Sequence, residues 1–327
     1  MLWVAAVVIP QLAALPFAAF AGDTQQTDGK QIEQAPTPEE KGPPLPLQTI
    51  EGTGGILITP TAYLVDPSER FDGFAGFPAF STTYVKAGAK NVEAFVATET
   101  ILKRIELGFS ASRFGTGTFN NAVLNAAGAD ITRSDVFLYD ANVRAEALEE
   151  NSFGLPFLPA VTAGASFKFN EGISTINRET GYALSSIGYK DADGVDFTIT
   201  ASKTLKYPWT FNRPLLISAG VRFSRASQLG YTGFGNSYNA TAEGNIAYNI
   251  TDWLWLAGEY RQKTDPYSGG IIVNGSNLVR PEQDWWTLGV AFVVTKNATA
   301  TVGYGNFGNL LNTNERAGWA VQLKYEF

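Results

Sequence analysis

From about residue 74 onward, apolar and polar side chains alternate in runs separated by turn-forming residues. In 103–113, Ile105, Leu107, Phe109 and Ala111 oppose Arg104, Glu106, Ser110 and Ser112. In 134–147, Phe137, Tyr139, Ala141, Val143 and Ala145 oppose Asp140, Asn142, Arg144 and Glu146. The same split recurs in 159–169, 195–203, 215–224 and 238–248, and it is cleanest in the last run. There Trp319, Val321, Leu323, Tyr325 and Phe327 share one face, and Ala320, Gln322, Lys324 and Glu326 the other. Period two with this division marks strands that are greasy on one side and wet on the other. The links between runs mostly alternate short and long when followed back from Phe327. The link at 87–90 breaks the alternation, being short where a long one is expected. The pattern predicts about twelve strands from near Phe77 to Phe327, each roughly 9–11 residues, the length that crosses a bilayer at a tilt.

Alternation alone also fits a soluble sandwich. Two further features favour a membrane barrel. Residues 2–21 are apolar and end in Ala19-Phe20-Ala21, an A-x-A cleavage pattern that predicts a signal peptide over 1–21. No Lys or Arg precedes Lys30, so the usual charged start is missing. An uncleaved anchor helix is the alternative, and Pro10 and Pro16 disfavour it. The closing aromatic strand resembles the assembly signal of Gram-negative outer-membrane barrels, with Tyr325 and Phe327 as its candidate residues. The expected fold is therefore all-β: a transmembrane antiparallel up-and-down β-barrel over 49–327. A polar, then proline-rich periplasmic tether over 22–48 precedes it. Residues 50–65 are glycine-rich and apolar. An extra strand there would make the strand number odd, so residues 49–73 read better as a lumen or periplasmic plug segment.

Composition narrows the chemistry. Hydrophobic residues are 45% of the chain, yet mean hydropathy is -0.05, so the apolar residues are dispersed and not gathered into helical spans. Cysteine and histidine are both absent. That removes disulfides, thiolate or imidazole metal sites, and the usual general base near neutral pH. It also weighs against a membrane-embedded hydrolase. Asp140 and Glu146 share a face, but six strand residues place them ~20 Å apart, too far for paired acid–base work. No catalytic residue, metal or cofactor is assigned, and the protein is read as non-enzymatic. The net charge of -7 argues against a nucleic-acid partner.

The polar faces carry full charges. Arg104, Glu106, Asp140, Arg144, Arg222, Glu243, Glu259 and Arg261, with Lys168, would face a wet lumen. Such a cluster either knits the lumen together as a salt-bridge network or lines a pore and selects solutes by charge. The stretch Arg225–Gly235 is a Gly- and aromatic-rich external loop. It is either an ordinary compact loop or, through Gln228, Tyr231 and Phe234, a constriction or ligand loop.

Distinctive segments recur along the chain: Ile50-Glu51-Gly52 with Gly54-Gly55, Gly194-Val195-Asp196-Phe197 with Ala201-Ser202-Lys203, the whole Arg225–Gly235 stretch, and Gly258–Pro266. With Asp284-Trp285-Trp286 and the Gly303-Tyr304 strand, they resemble in order and spacing a proteobacterial family, domain of unknown function 3034, over about residues 49–327. The proline-rich tether and the 274–281 stretch depart from it. The resemblance implies an outer-membrane barrel and brings no established activity. The opening Gly54–Ala62 run is also similar to barrel lipoproteins linked to exopolysaccharide export, although the lipidated cysteine is missing. The expected function is a small channel or solute/glycan translocation barrel in the outer membrane of a Gram-negative cell. The alternative is a closed structural or envelope-assembly barrel that binds a partner through its loops or tether. Expected partners are the lipid bilayer, the outer-membrane assembly machinery, and small solutes or glycans.

Overall fold

The computed structural model describes residues 47–65, 74–76 and 78–327. The expected signal peptide and its cleavage after Ala21 lie outside them. So do the tether up to residue 46 and residues 66–73 of the plug segment.

In chain order the elements are β1 (Ala79–Ala87), β2 (Lys90–Ile101), β3 (Ile105–Gly115), α1 (Phe119–Ala127), β4 (Asp135–Leu148), β5 (Ala160–Glu171), α2 (Ile173–Glu179), α3 (Ala183–Ile187), β6 (Asp193–Leu205), β7 (Leu215–Ala226), β8 (Phe234–Thr251), β9 (Leu254–Arg261), β10 (Ile271–Val273), β11 (Ser276–Val279), β12 (Trp285–Val293), β13 (Ala298–Asn306), β14 (Asn309–Leu310), β15 (Thr313–Asn314) and β16 (Gly318–Glu326). Twelve of the strands close into one antiparallel barrel. Each pairs with its chain neighbour except at the seam, and β10–β11 and β14–β15 are small hairpins in the links. The seam joins β1 to β16 from Ala79 opposite Glu326 to Ala87 opposite Gly318. Closure leaves no unpaired edge, which a sheet in hydrocarbon cannot tolerate. Strand lengths vary more than the sequence suggests, from 8 residues in β9 to 18 in β8.

The apolar face of the alternation points outward. Phe95, Leu107, Phe109, Phe167, Ile199, Leu256, Leu288, Val302, Trp319 and Leu323 are 43–56% exposed around the outer wall. Aqueous solvent does not suit so continuous an apolar band, and a bilayer does. Trp and Tyr flank it: Trp253 and Tyr325 toward the end bearing the carboxyl terminus, Tyr260, Trp286 and Tyr304 toward the other. Both rings of such aromatics sit where a membrane meets water. The Phe327 ring lies 6.0 Å from Phe80 and 4.8 Å from Tyr325, bridging the seam on the lipid side.

At the external end the links carry their own packed structure. Phe119, Val123 and Ala126 of α1, Ile173 and Ile176 of α2, and Leu184 and Ile187 of α3 are buried together with Tyr189, Tyr267, Leu278 and Val279. They form an apolar lid over the mouth. The 274–281 stretch supplies β11 and the turn before it.

Candidate functional site: a lumen filled from both ends

Residues 47–65 run inside the barrel. They form two nested turns held by their own backbone: the amide of Ile50 donates to Leu57 O (3.0 Å), that of Ile56 to Thr59 O (2.9 Å) and that of Thr61 to Gly54 O (3.1 Å). Glycine makes the fit possible. Gly52 has φ +93, and a Cβ on Gly108 of β3 would stand 1.9 Å from Gly52 O. Leu47 and Gln48, expected in the tether, are also buried and belong to this plug. Gln48 exchanges hydrogen bonds with Gln322 of β16: Gln322 Nε2 donates to Gln48 O (2.6 Å), and the Gln48 amide donates to Gln322 Oε1 (3.3 Å).

The wall grips the plug through side chains. Glu259 accepts from the amides of Leu57 (3.1 Å), Ile58 (2.9 Å) and Thr59 (2.7 Å), and from the hydroxyls of Thr59 (2.7 Å) and Thr287 (2.6 Å). Glu106 accepts from the amides of Gly54 (3.1 Å) and Val65 (2.8 Å) and pairs with Arg144 at 2.9 Å. Arg144 Nη1 donates to Thr61 O at 2.6 Å. Ser202 Oγ accepts from the Ala62 amide (2.7 Å), and Thr162 donates to Ala62 O (2.9 Å). At the periplasmic end the Tyr63 hydroxyl donates to Glu150, whose other oxygen accepts from the Thr204 amide at 3.0 Å.

Above this grip lies an arc of buried charge. Asp140, Lys168, Asp196, Arg222, Glu243 and Arg261 stand on the successive strands β4 to β9 with alternating sign. Lys168 Nζ is 2.6 Å from Asp196 and 4.0 Å from Asp140. Arg222 reaches Asp196 at 3.2 Å and Glu243 at 3.1 Å. The plug adds a fourth carboxylate, Glu51. Its oxygens lie 2.6 Å from Lys168, 2.6 Å from Arg261 and 3.3 Å from Arg222. Ions this deep repay their lost hydration only through such close, multiply bonded geometry.

The external loop closes the lumen from the other side. Lys168 Nζ also donates to Leu229 O (3.2 Å), and Asn170 Nδ2 donates to Gly230 O (2.7 Å) and Tyr231 O (2.9 Å). The Tyr231 hydroxyl donates to Ser112 Oγ at 2.8 Å, and its ring stacks on Phe114 at 5.1 Å. Gln228 is buried, its amide donating to Glu282 at 2.9 Å. Phe234 opens β8 as a fully buried side chain, its ring 2.3 Å from where a Cβ on Gly194 would stand. Lys168 thus joins the plug to this loop.

Of the charged residues singled out in the sequence, Glu106, Asp140, Arg144, Arg222, Glu243, Glu259 and Arg261 are all buried in the lumen. Arg104 is not among them. It occupies the turn between β2 and β3, its side chain 58% exposed, and pairs with Glu149 at the periplasmic rim. The alternation ends one residue earlier than the pattern suggests, so its phase no longer dictates where Arg104 points. Glu259 lies on the face shared with Arg261 but binds the plug's amides, while Arg261 turns to Glu51. Periodicity does not single out Glu51, because the plug is not a strand, nor Asp196, which it marks only as polar. The available signal was a lone acid between Ile50 and Gly52 in an otherwise apolar, glycine-rich run.

A closed barrel with a lipid-facing apolar band, aromatic borders and a charged interior defines a Gram-negative outer-membrane β-barrel. The chain belongs to the family described as protein of unknown function (DUF3034), which it matches over residues 46–324. A search of curated proteins found no match. Among solved structures, the KdgM porin in complex with disordered oligogalacturonate is similar at 10% identity and a TM-score of 0.45, over 76% of this chain and 99% of that one. The outer membrane protein Omp33 of Acinetobacter baumannii aligns at 10% identity and 0.41, over 78% and 100%. An outer membrane channel from Pseudomonas putida F1 aligns at 11% identity and 0.43, over 80% and 100%.

Proposed function

We propose that the protein is a non-enzymatic outer-membrane channel for small polar solutes or glycans, held shut by its own residues 47–65. The observation that carries this reading is how the plug is attached. The twelve wall strands complete their ladder among themselves. The plug's bridges, Gln48 with Gly54 and Gly55 with Pro60, are internal to it. The plug can therefore leave without opening the sheet, and what it uncovers is a wall of Glu, Asp, Lys, Arg, Asn, Ser and Thr. That lining suits hydrated solutes. Tyr325 and Phe327 serve as the segment read by the assembly machinery.

The packed external lid favours a second reading, a permanently closed barrel that acts through its loops. Swelling of proteoliposomes in arabinose separates the two. With the plug loosened by Glu259→Ala, the channel reading predicts faster swelling than wild type. Rates no higher than those of protein-free liposomes, for both proteins, would favour the closed barrel.

A further inference from the structure

The position of Glu51 points to the class of solute. Lys168, Arg222 and Arg261 come from the alternate strands β5, β7 and β9, and all three converge on this one carboxylate. On the wall they are already matched by Asp140, Asp196 and Glu243. Glu51 is thus a surplus negative charge brought in by the plug and held by directed donors. Arg261 depends on it most. The side chain is almost fully buried, Nη2 donates to Glu51 at 2.6 Å, and Nη1 has no acceptor among the described residues. Without Glu51, Lys168 and Arg222 keep their bonds to Asp196 and Glu243, whereas Arg261 keeps only its Nε contact with Glu243 (3.1 Å) and turns both Nη groups, unbonded, to the lumen. A buried guanidinium in that state binds carboxylates through paired N–H donors. Beside Glu51 lies a small cavity of about 10 Å³ among Thr53, Asn142, Arg144, Ser166, Thr198 and Arg222. With the plug displaced, the Asn142 amide, which now donates to Glu51 O, is freed to meet a sugar hydroxyl.

We propose that Glu51 occupies a receptor site for a hydroxylated carboxylate, a sugar acid, so that plug and solute compete for Arg261, Lys168 and Arg222. The proposal rests on the plugged-channel reading, but it is tested by binding, which requires no conduction. Folded protein in detergent is titrated calorimetrically with sodium glucuronate, with glucose as the neutral control and heat-modifiable gel migration as the check on folding. Glu51→Ala leaves three cations facing three carboxylates, a balanced set, and should bind glucuronate. Wild type should bind it at least about tenfold more weakly, because its site is mostly filled. Adding Arg261→Gln should abolish the gain, and glucose should bind to neither protein. In wild type, glucuronate but not glucose should speed amide exchange in residues 50–61, which keeps the proposal testable if the variants fold poorly. Equal glucuronate binding by wild type and Glu51→Ala, equal binding of glucose, or plug exchange indifferent to glucuronate would each overturn it. A channel that conducts yet shows those outcomes would retain the gating role and lose the sugar-acid site.

Discussion

Glu259→Ala should release the plug while sparing the barrel. The Glu259 carboxylate is buried, and its five partners are all neutral donors, four of them on the plug. Removing it strands the amides of Leu57, Ile58 and Thr59. At about 1 kcal/mol for each buried donor left unmade, the docked plug loses about 3 kcal/mol. That corresponds to a shift on the order of 100-fold toward the undocked state, where water satisfies the same amides. The wall itself is relieved of a buried charge that no cation among the described residues neutralises directly, so the barrel should be as stable as before or more so. Hydrogen–deuterium exchange read by mass spectrometry is the assay, because local opening sets the exchange rate. Peptides within 50–65 should exchange about 100-fold faster than in wild type, with β3, β9 and β12 unchanged. Thr287→Val removes one bond to Glu259 and no acceptor from the plug, so it should change exchange far less. An unaltered plug, or acceleration shared equally by the wall strands, would rule out Glu259 as the plug's anchor.

Val221 and Arg222 are neighbours on β7, one on the lipid face and one in the lumen. Val221→Arg should cost up to about 2–4 kcal/mol near mid-membrane, and Arg222→Ala should preserve insertion while leaving Glu243 paired with Arg261 alone; refolding titrations in lipid vesicles report both, and equal tolerance would contradict the assigned register. Replacing Phe327 with Asp removes its ring contacts with Phe80 and Tyr325 across the seam. It should lower outer-membrane yield of heat-modifiable protein, and a normal yield would count against the anchor. In the external link between β9 and β12, burial first and the nearby Glu282 charge second push the Asp265 carboxyl up to about 6, against a partial opposing effect from the Tyr267 amide. A carboxyl raised in the fold stabilises it fully below its unfolded value and loses that contribution as pH rises through about 6. Loop 262–284, with intrinsic exchange corrected for pH, should therefore be better protected at pH 4 than at pH 7, and Asp265→Asn should flatten the difference.

Much of this fold is written locally. In β3, β4, β7 and β16 each side chain's face follows from period two, so the outward Phe109 and Val221 and the inward Glu106 and Arg222 are legible from spacing alone. Link lengths carry the strand number because hairpins join neighbours. Partners are not local. Glu259 and Arg261 share a face, but what each binds depends on a segment some 200 residues earlier in the chain, and no periodicity encodes that contact. The Arg225–Gly235 loop could be recognised as unusual from its glycines and aromatics. Its descent into the lumen depends on Asn170 and Lys168 reaching its carbonyls, a match visible only in three dimensions. Arg104 shows the converse limit, since alternation holds only while the strand lasts.

Residues 47–65 are proposed to shut a conducting barrel. The chain has no native cysteine, and the Ala62 amide lies 2.7 Å from Ser202 Oγ, so the pair Ala62→Cys with Ser202→Cys brings two thiols into the same neighbourhood of plug and wall, and loss of free thiol on oxidation checks that a disulfide has formed between them. Single-channel recording in planar bilayers, before and after reduction on the same membrane, is the most direct measurement. Silence is expected while the disulfide holds, and discrete openings once it is reduced. Openings of equal size and frequency in the locked and reduced protein would contradict it, as would silence in both under conditions where Glu259→Ala is also silent.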